Sequence, residues 1–146
     1  MSIRVRRPAT DRLELSDGDY LIVKQDLTAG EYRERMRAST RAVRVTAADG
    51  TVTERYEVDR IAAGVAMVVA YLVDWSFADA DGAKIHIADQ PRAAVLAALD
   101  YIASDAYMEV QTAIHVHEDA RAATLAEEKK TQTGATGPAR TLSSVG

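Results

Sequence analysis

The chain has 146 residues and no cysteine. Disulfides, thiolate zinc sites and cysteine nucleophiles are excluded, and a reducing compartment is a natural fit. Aromatic residues are scarce, with a single Trp and a single Phe. Val, Ile, Leu and Ala must therefore fill the core. Long apolar runs are missing too. The uncharged run 61–73 has thirteen residues, whereas a membrane span needs about 20. Asp59, Arg60 and Asp74 bracket that run, and each would cost about 2.5 to 3.5 kcal/mol near a bilayer centre. No membrane contact is expected. The N-terminal stretch MSIRVRRPATDR is basic with no apolar core after it, so it does not read as a secretory signal. There is no Gly-rich phosphate loop, nucleophile elbow or HExxH. Ser16, Ser39, Ser76 and Ser104 have no base close by in sequence. Triads do assemble from distant positions, but these absences point away from an enzyme.

What is present is a chain 47% hydrophobic, long enough for one domain with a modest core. The net charge of −4 hides a split. Residues 1–44 carry 10 Lys+Arg against 7 Asp+Glu, and residues 45–146 carry 8 against 15. Halves of opposite sign attract each other, or attract copies of each other, at low salt. Nucleic-acid binding is not expected, because the N-terminal arginines are interleaved with Asp and Glu and lack aromatic stacking partners.

IRVRR alternates as a short strand would, over 3–7. LELSDGDYLIVKQDL reads as two strands around Asp17-Gly18, a pair that tolerates positive φ. Thr28 and Glu31 have the spacing of a capping box, which predicts a helix over 29–41. Tyr32, Met36 and Val43 lie roughly on one side of it, with Arg33, Arg37, Arg41 and Arg44 as a stripe alongside. AVRVTAADGTVTERYEV reads as a hairpin turning at Asp49-Gly50.

The strongest periodic signal covers 58–75. Val58, Ile61, Val65, Val68, Leu72 and Trp75 recur at steps of three and four, which predicts one helix buried on several sides. Trp75 ends that stripe and would cap the core, with ligand stacking as the less favoured reading. An acidic turn through Asp79-Ala-Asp81-Gly82 follows. Asp89-Gln-Pro91 is expected to start a helix carrying Val95, Leu96, Leu99 and Ile102, with Asp as its cap. Ser104-Asp105 starts a last one, over 106–129, with Tyr107, Val110, Ile114 and His117 inward. The remainder is small and polar, and Gly134, Gly137 and Pro138 fall in it, so it is expected to be flexible.

Two clusters carry possible metal chemistry. His115 and His117 would share a face on a strand, but on a helix they point about 200° apart. Asp79-Ala-Asp81-Gly82 begins like a calcium loop, but position 12, which takes the closing Glu, holds Gln90. Neither supports a metal site, and no cofactor is expected.

One pattern remains: an apolar helix ending YLVDWSF, the acidic ADADG turn, a short extended piece, and a helix pair ending AYMEVQTAIHVHEDA. It resembles small proteins of long-tailed bacteriophage tail modules, particularly tail assembly chaperones. Asp74-Trp75-Ser76, 79–82, Tyr107, Val110, Ala113-Ile114 and His117-Glu118 carry the likeness, within 58–118. The resemblance implies a non-enzymatic role: binding the tape-measure protein, shielding its apolar helical stripe, and recruiting tail-tube protein. It also implies residence in the host cytoplasm during assembly. Alternatives are a structural component of the virion tail or head–tail neck, and a host-side binding module or small enzyme.

The expectation is thus one α+β domain over 3–128, with short N-terminal strands and hairpins, a central buried helix, a C-terminal helix pair, and a flexible tail over 129–146. Candidate protein-binding residues are Tyr32, Arg33, Met36, Arg37, Arg41 and Trp75, with self-association as a further partner reading.

Overall fold

The computed structural model describes residues 4, 5 and 8–143, with side chains as far as residue 131. Two compact units divide it, Met1–Ile114 and His115–Gly146. The fold is α+β. The strand expected over 3–7 falls largely outside the described residues.

In the first unit, β1 (Thr10–Glu14) and β2 (Tyr20–Lys24) pair antiparallel, with Leu13 opposite Leu21. Between them Asp17 and Gly18 both take positive φ, 56° and 78°, which suits the two residue types that tolerate the left-handed region best. Alternation along β2 sends Leu21 and Val23 inward, both fully buried.

Helix α1 (Ala29–Ala38) starts with the expected capping box. Thr28 Oγ1 accepts from the Glu31 N–H at 3.2 Å, and Glu31 Oε1 accepts from the Thr28 N–H at 2.9 Å. The helix stops three residues before the expected Arg41. Ser39 folds back, its hydroxyl donating to the Arg35 carbonyl at 2.7 Å, and β-branched Thr40 opens a strand. Strands β3 (Thr40–Thr46) and β4 (Val52–Val58) form the expected hairpin, with Gly50 at φ 85° in its turn. They make a separate two-stranded ribbon with no third strand among the described residues.

Helix α2 (Arg60–Tyr71) is shorter at both ends than the 58–75 stripe predicts. Asp59 sets its start by accepting from the Ile61 and Ala62 N–H groups, each at 3.1 Å. Val58 therefore belongs to β4. At the other end the chain straightens into β5 (Leu72–Trp75), which pairs antiparallel with β2. The resulting sheet has the order β1-β2-β5.

A bulge explains why a strand passed for a helix. Leu21 faces Trp75 and Ile22 faces Asp74, but Val23 faces Leu72, so Val73 is the extra residue on β5. Without it, Leu72 and Trp75 would point to opposite faces. With it, both join Leu21 and Val23 on the inner face. The three-residue step thus comes from a shifted pleat, not from a helical turn.

The chain then runs through the Asp79 turn to α3 (Arg92–Tyr101). Pro91 occupies the cap position there, with no side-chain cap, and Asp89 sits in the left-handed region at φ 57° rather than capping as expected. The last helix, α4, is assigned over Ser104–Ser143, past the expected end at Lys129. Within the first unit its Val110 and Ile114 are fully buried and join Met67, Val68, Trp75 and Leu99 in the core. Fully burying such a side chain stabilises by about 1.5 to 3 kcal/mol. Gly64 on α2 faces α4, where a Cβ would lie 2.8 Å from the Gln111 side-chain amide nitrogen.

In the second unit His115 is exposed and lies 3.4 Å from Asp119, one helical turn on, while His117 is only 7% exposed. The helical placement of the pair, one histidine outward and one inward, matches expectation. No helix among the described residues is long and apolar enough to cross a membrane.

Candidate functional site

The stretch Asp74-Trp75-Ser76 is a structural junction in which every polar atom named below has a partner. Trp75 is wholly buried. Its indole N–H donates to the Ile85 carbonyl at 2.8 Å, and its ring lies 4.9 Å from that of Phe77 at 40°. Asp74 accepts from its neighbour's N–H at 2.9 Å and from the Lys84 ammonium at 3.1 Å. The Ser76 hydroxyl accepts from the Tyr20 N–H at 2.9 Å and donates to Asp19 at 2.8 Å. This ties the exit of β5 to the entry of β2.

The acidic turn closes the corner. Asp79 Oδ1 accepts from the Asp81 and Ala83 N–H groups at 2.9 and 3.0 Å, and Gly82 takes φ 81°. The Asp79 carboxylate is thus committed to its own backbone, in the manner of an Asx turn. Among the described residues no group of three or more metal-ligating side chains converges.

A depression of about 650 Å³ lies beside this corner, lined by Asp19, Ser76, Phe77, Tyr101 and Ile102 among others. The Ser76 hydroxyl on its wall gives its proton to Asp19, so it faces a carboxylate with no imidazole between them. A second link holds the opposite turn: Glu109 accepts from the Ser16 N–H at 2.6 Å and from its hydroxyl at 2.8 and 3.0 Å.

The candidate binding residues separate into two groups. Tyr32, Arg33, Met36 and Arg37 are exposed on α1. Arg41 is not on that helix. It lies on β3, as does Arg44, so the four arginines form no single helical stripe. Arg37 pairs with Glu34 at 3.3 Å on the surface, and Arg41 comes within 4.0 Å of Glu57 on β4. Exposed pairs of this kind contribute about 0 to 1 kcal/mol. Trp75 is a correction: a side chain with no exposed surface presents nothing to a partner, and it belongs to the junction.

Three exposed residues extend the apolar surface beyond what was expected: Tyr56 at 74%, Val58 at 68% and Ile61 at 83%. The periodic pattern alone places Val58 and Ile61 on the buried stripe, and the structure moves both to the surface. A hydrogen bond of 2.9 Å from the Asp59 N–H to the Ser39 carbonyl joins the β4–α2 corner to the end of α1. Exposed apolar side chains thus occur on α1, at the end of β4 and in the first turn of α2. The even positions of β4 carried the missed signal, since Val52, Tyr56 and Val58 alternate on a strand whose only neighbouring strand among the described residues is β3.

Comparison with protein-family models, curated proteins and solved structures finds no match. At the level of class, the fold and surface define an α+β protein with a tightly bonded corner and several large apolar side chains open to solvent.

Proposed function

We propose that the chain is an assembly factor of a long-tailed bacteriophage tail module, a tail assembly chaperone that binds tape-measure protein and recruits tail-tube protein. The observation that carries this reading is the set of large apolar side chains left in solvent on three successive elements: Tyr32 and Met36 on α1, Val58 at the end of β4, and Ile61 in the first turn of α2. Contiguous exposed apolar groups rimmed by polar residues mark binding surfaces in soluble proteins. A tape-measure protein offers the matching chemistry, an apolar stripe on a long helix that needs cover until the tail tube encloses it. The sequence likeness within 58–118 supports the same assignment, its Asp-Trp-Ser being the part that ties β5 to β2 and its Asp79 turn closing on its own backbone.

Co-expression with a tape-measure fragment tests the proposal. The fragment should remain soluble and co-purify with the chain, and the complex should survive raised salt, because apolar contacts are not screened. Tyr32→Ser combined with Ile61→Ser should abolish co-purification while the protein stays folded. Failure to co-purify at either salt, together with stoichiometric copies in purified virions, would favour a structural tail or neck component instead.

A further inference from the structure

The outer edge of β4 is self-complementary. In the β3–β4 ribbon the paired residues are those whose numbers sum to 98, from Thr40 opposite Val58 to Thr46 opposite Val52. The Asp59 N–H donates to the Ser39 carbonyl at 2.9 Å, and the Ala47 N–H to the Thr51 carbonyl at 2.8 Å. Odd-numbered pairs are therefore the hydrogen-bonded ones, because the two kinds alternate along an antiparallel ladder. It follows that the N–H and C=O groups of Val52, Glu54, Tyr56 and Val58 point away from β3. No further strand pairs with that edge among the described residues. An isolated two-stranded ribbon is marginally stable in water, and an unpaired edge is a template for another strand.

We infer that β4 pairs antiparallel with β4 of a second copy of this chain, about a two-fold axis through Tyr56. A two-fold antiparallel pairing keeps each side chain on its own face, so the register must centre on one residue. Centring on Glu54 sets Glu54 against Glu54, on Arg55 sets Arg55 against Arg55, and on Glu57 sets Glu57 against Glu57. Centring on Tyr56 sets Arg55 against the second copy's Glu57, twice, and sets no like charges opposite each other. It also makes Tyr56 a hydrogen-bonded pair with its copy, and Glu54 with Val58, using the outward-facing amides. Arg55 and Glu57 then fall at a non-hydrogen-bonded pair, where side chains approach most closely. Within one chain Arg55 already reaches Glu57 at 2.8 Å along the strand, so both groups lie on the face that the pairing requires. Charges on an edge strand ordinarily oppose pairing, but the order Arg-Tyr-Glu reverses that effect. The inference is independent of the tail-assembly reading.

The test uses the full chain in analytical ultracentrifugation over a concentration series. The wild type should reach the mass of two 15.8 kDa chains. Arg55→Glu alone and Glu57→Lys alone should each sediment as monomers, since each sets like charges opposite each other. Mixed in equal amounts the two variants should form a dimer, because the carboxylate introduced in one chain then meets the ammonium introduced in the other. A second measurement uses the absence of cysteine. Tyr56→Cys should be oxidised rapidly to a disulfide-linked dimer, the Cα atoms at the axis being about 5.5 Å apart. Arg44→Cys, on the same face of β3, should not cross-link. A monomeric wild type, dimeric single variants, a mixture that stays monomeric, open-ended polymers, or equal cross-linking at the two positions would each overturn the proposal.

Discussion

The two antiparallel hairpins of this protein differ in what lies beyond them. β1 and β2 turn through Asp17-Gly18, and β3 and β4 turn through Gly50. The first gains a third strand, β5, and a helical cover, and Leu21, Val23 and Trp75 become fully buried. The second keeps two strands, and Val52, Tyr56 and Val58 remain more than half exposed. Local turn chemistry makes a hairpin, but only packing of its inner face decides whether it carries stability or presents a surface.

Paired substitutions should expose the contrast. Trp75→Ala is expected to destabilise by about 3 to 5 kcal/mol in urea melts, the range for removing a buried large aromatic. Tyr56→Ala should cost less than about 0.5 kcal/mol at dilutions where the chain is a monomer. Equal losses would erase the distinction. Leu21→Ala should cost about 2 to 5 kcal/mol, and Val52→Ala should again fall within about 0.5 kcal/mol. Asp59→Ala removes the cap of α2 and should cost about 1 kcal/mol. Because Asp59 also ends β4, its loss should raise amide exchange in the ribbon more than in the first sheet.

A smaller effect depends on pH. Burial works to raise the Glu31 carboxyl, but the Lys24 hydrogen bond, the Thr28 backbone N–H and the Lys24 charge outweigh it, and its pKa falls below 4.5. A depressed carboxylate contributes stability above its unfolded pKa and loses it as pH falls through the folded one. Stability should therefore decline on acidification below about pH 4.5. Glu31→Gln should flatten that part of the curve, by under about 1 kcal/mol given solvent screening. The smallest effect is expected for Gly64→Ala. The gain of about 1 kcal/mol in helix propensity is offset by displacing the flexible Gln111 amide, so the midpoint should barely move.

The parts legible in the sequence were those decided locally. The Thr28–Glu31 box and the Asp17-Gly18 and Asp49-Gly50 turns need only neighbours a few residues away. The switch from α2 to β5 was not legible, since a bulge at Val73 reproduces the helical step from Leu72 to Trp75 and only β2 specifies it. The end of α1 at Ser39 was missed for a related reason, and it moved Arg41 and Arg44 from a helix to a strand. Of the candidate surface, Tyr32 and Met36 were readable because their helix face is polar around them. Val58 and Ile61 were not, because apolar residues near a buried helix look buried until the cap at Asp59 and the ribbon are in place.

The lone indole also makes the protein its own optical gauge. Trp75 is sealed between Phe77 and the Ile85 carbonyl, so its emission should be blue-shifted in the folded chain and should redden only when the β2–β5 sheet opens. The ribbon holds no tryptophan. Dimerisation through Tyr56, or a partner settling on Tyr32 and Ile61, should leave that emission colour unchanged. Fluorescence would then report the integrity of the core while remaining blind to the surface, and any red shift on adding a partner would mean that the fold itself had given way.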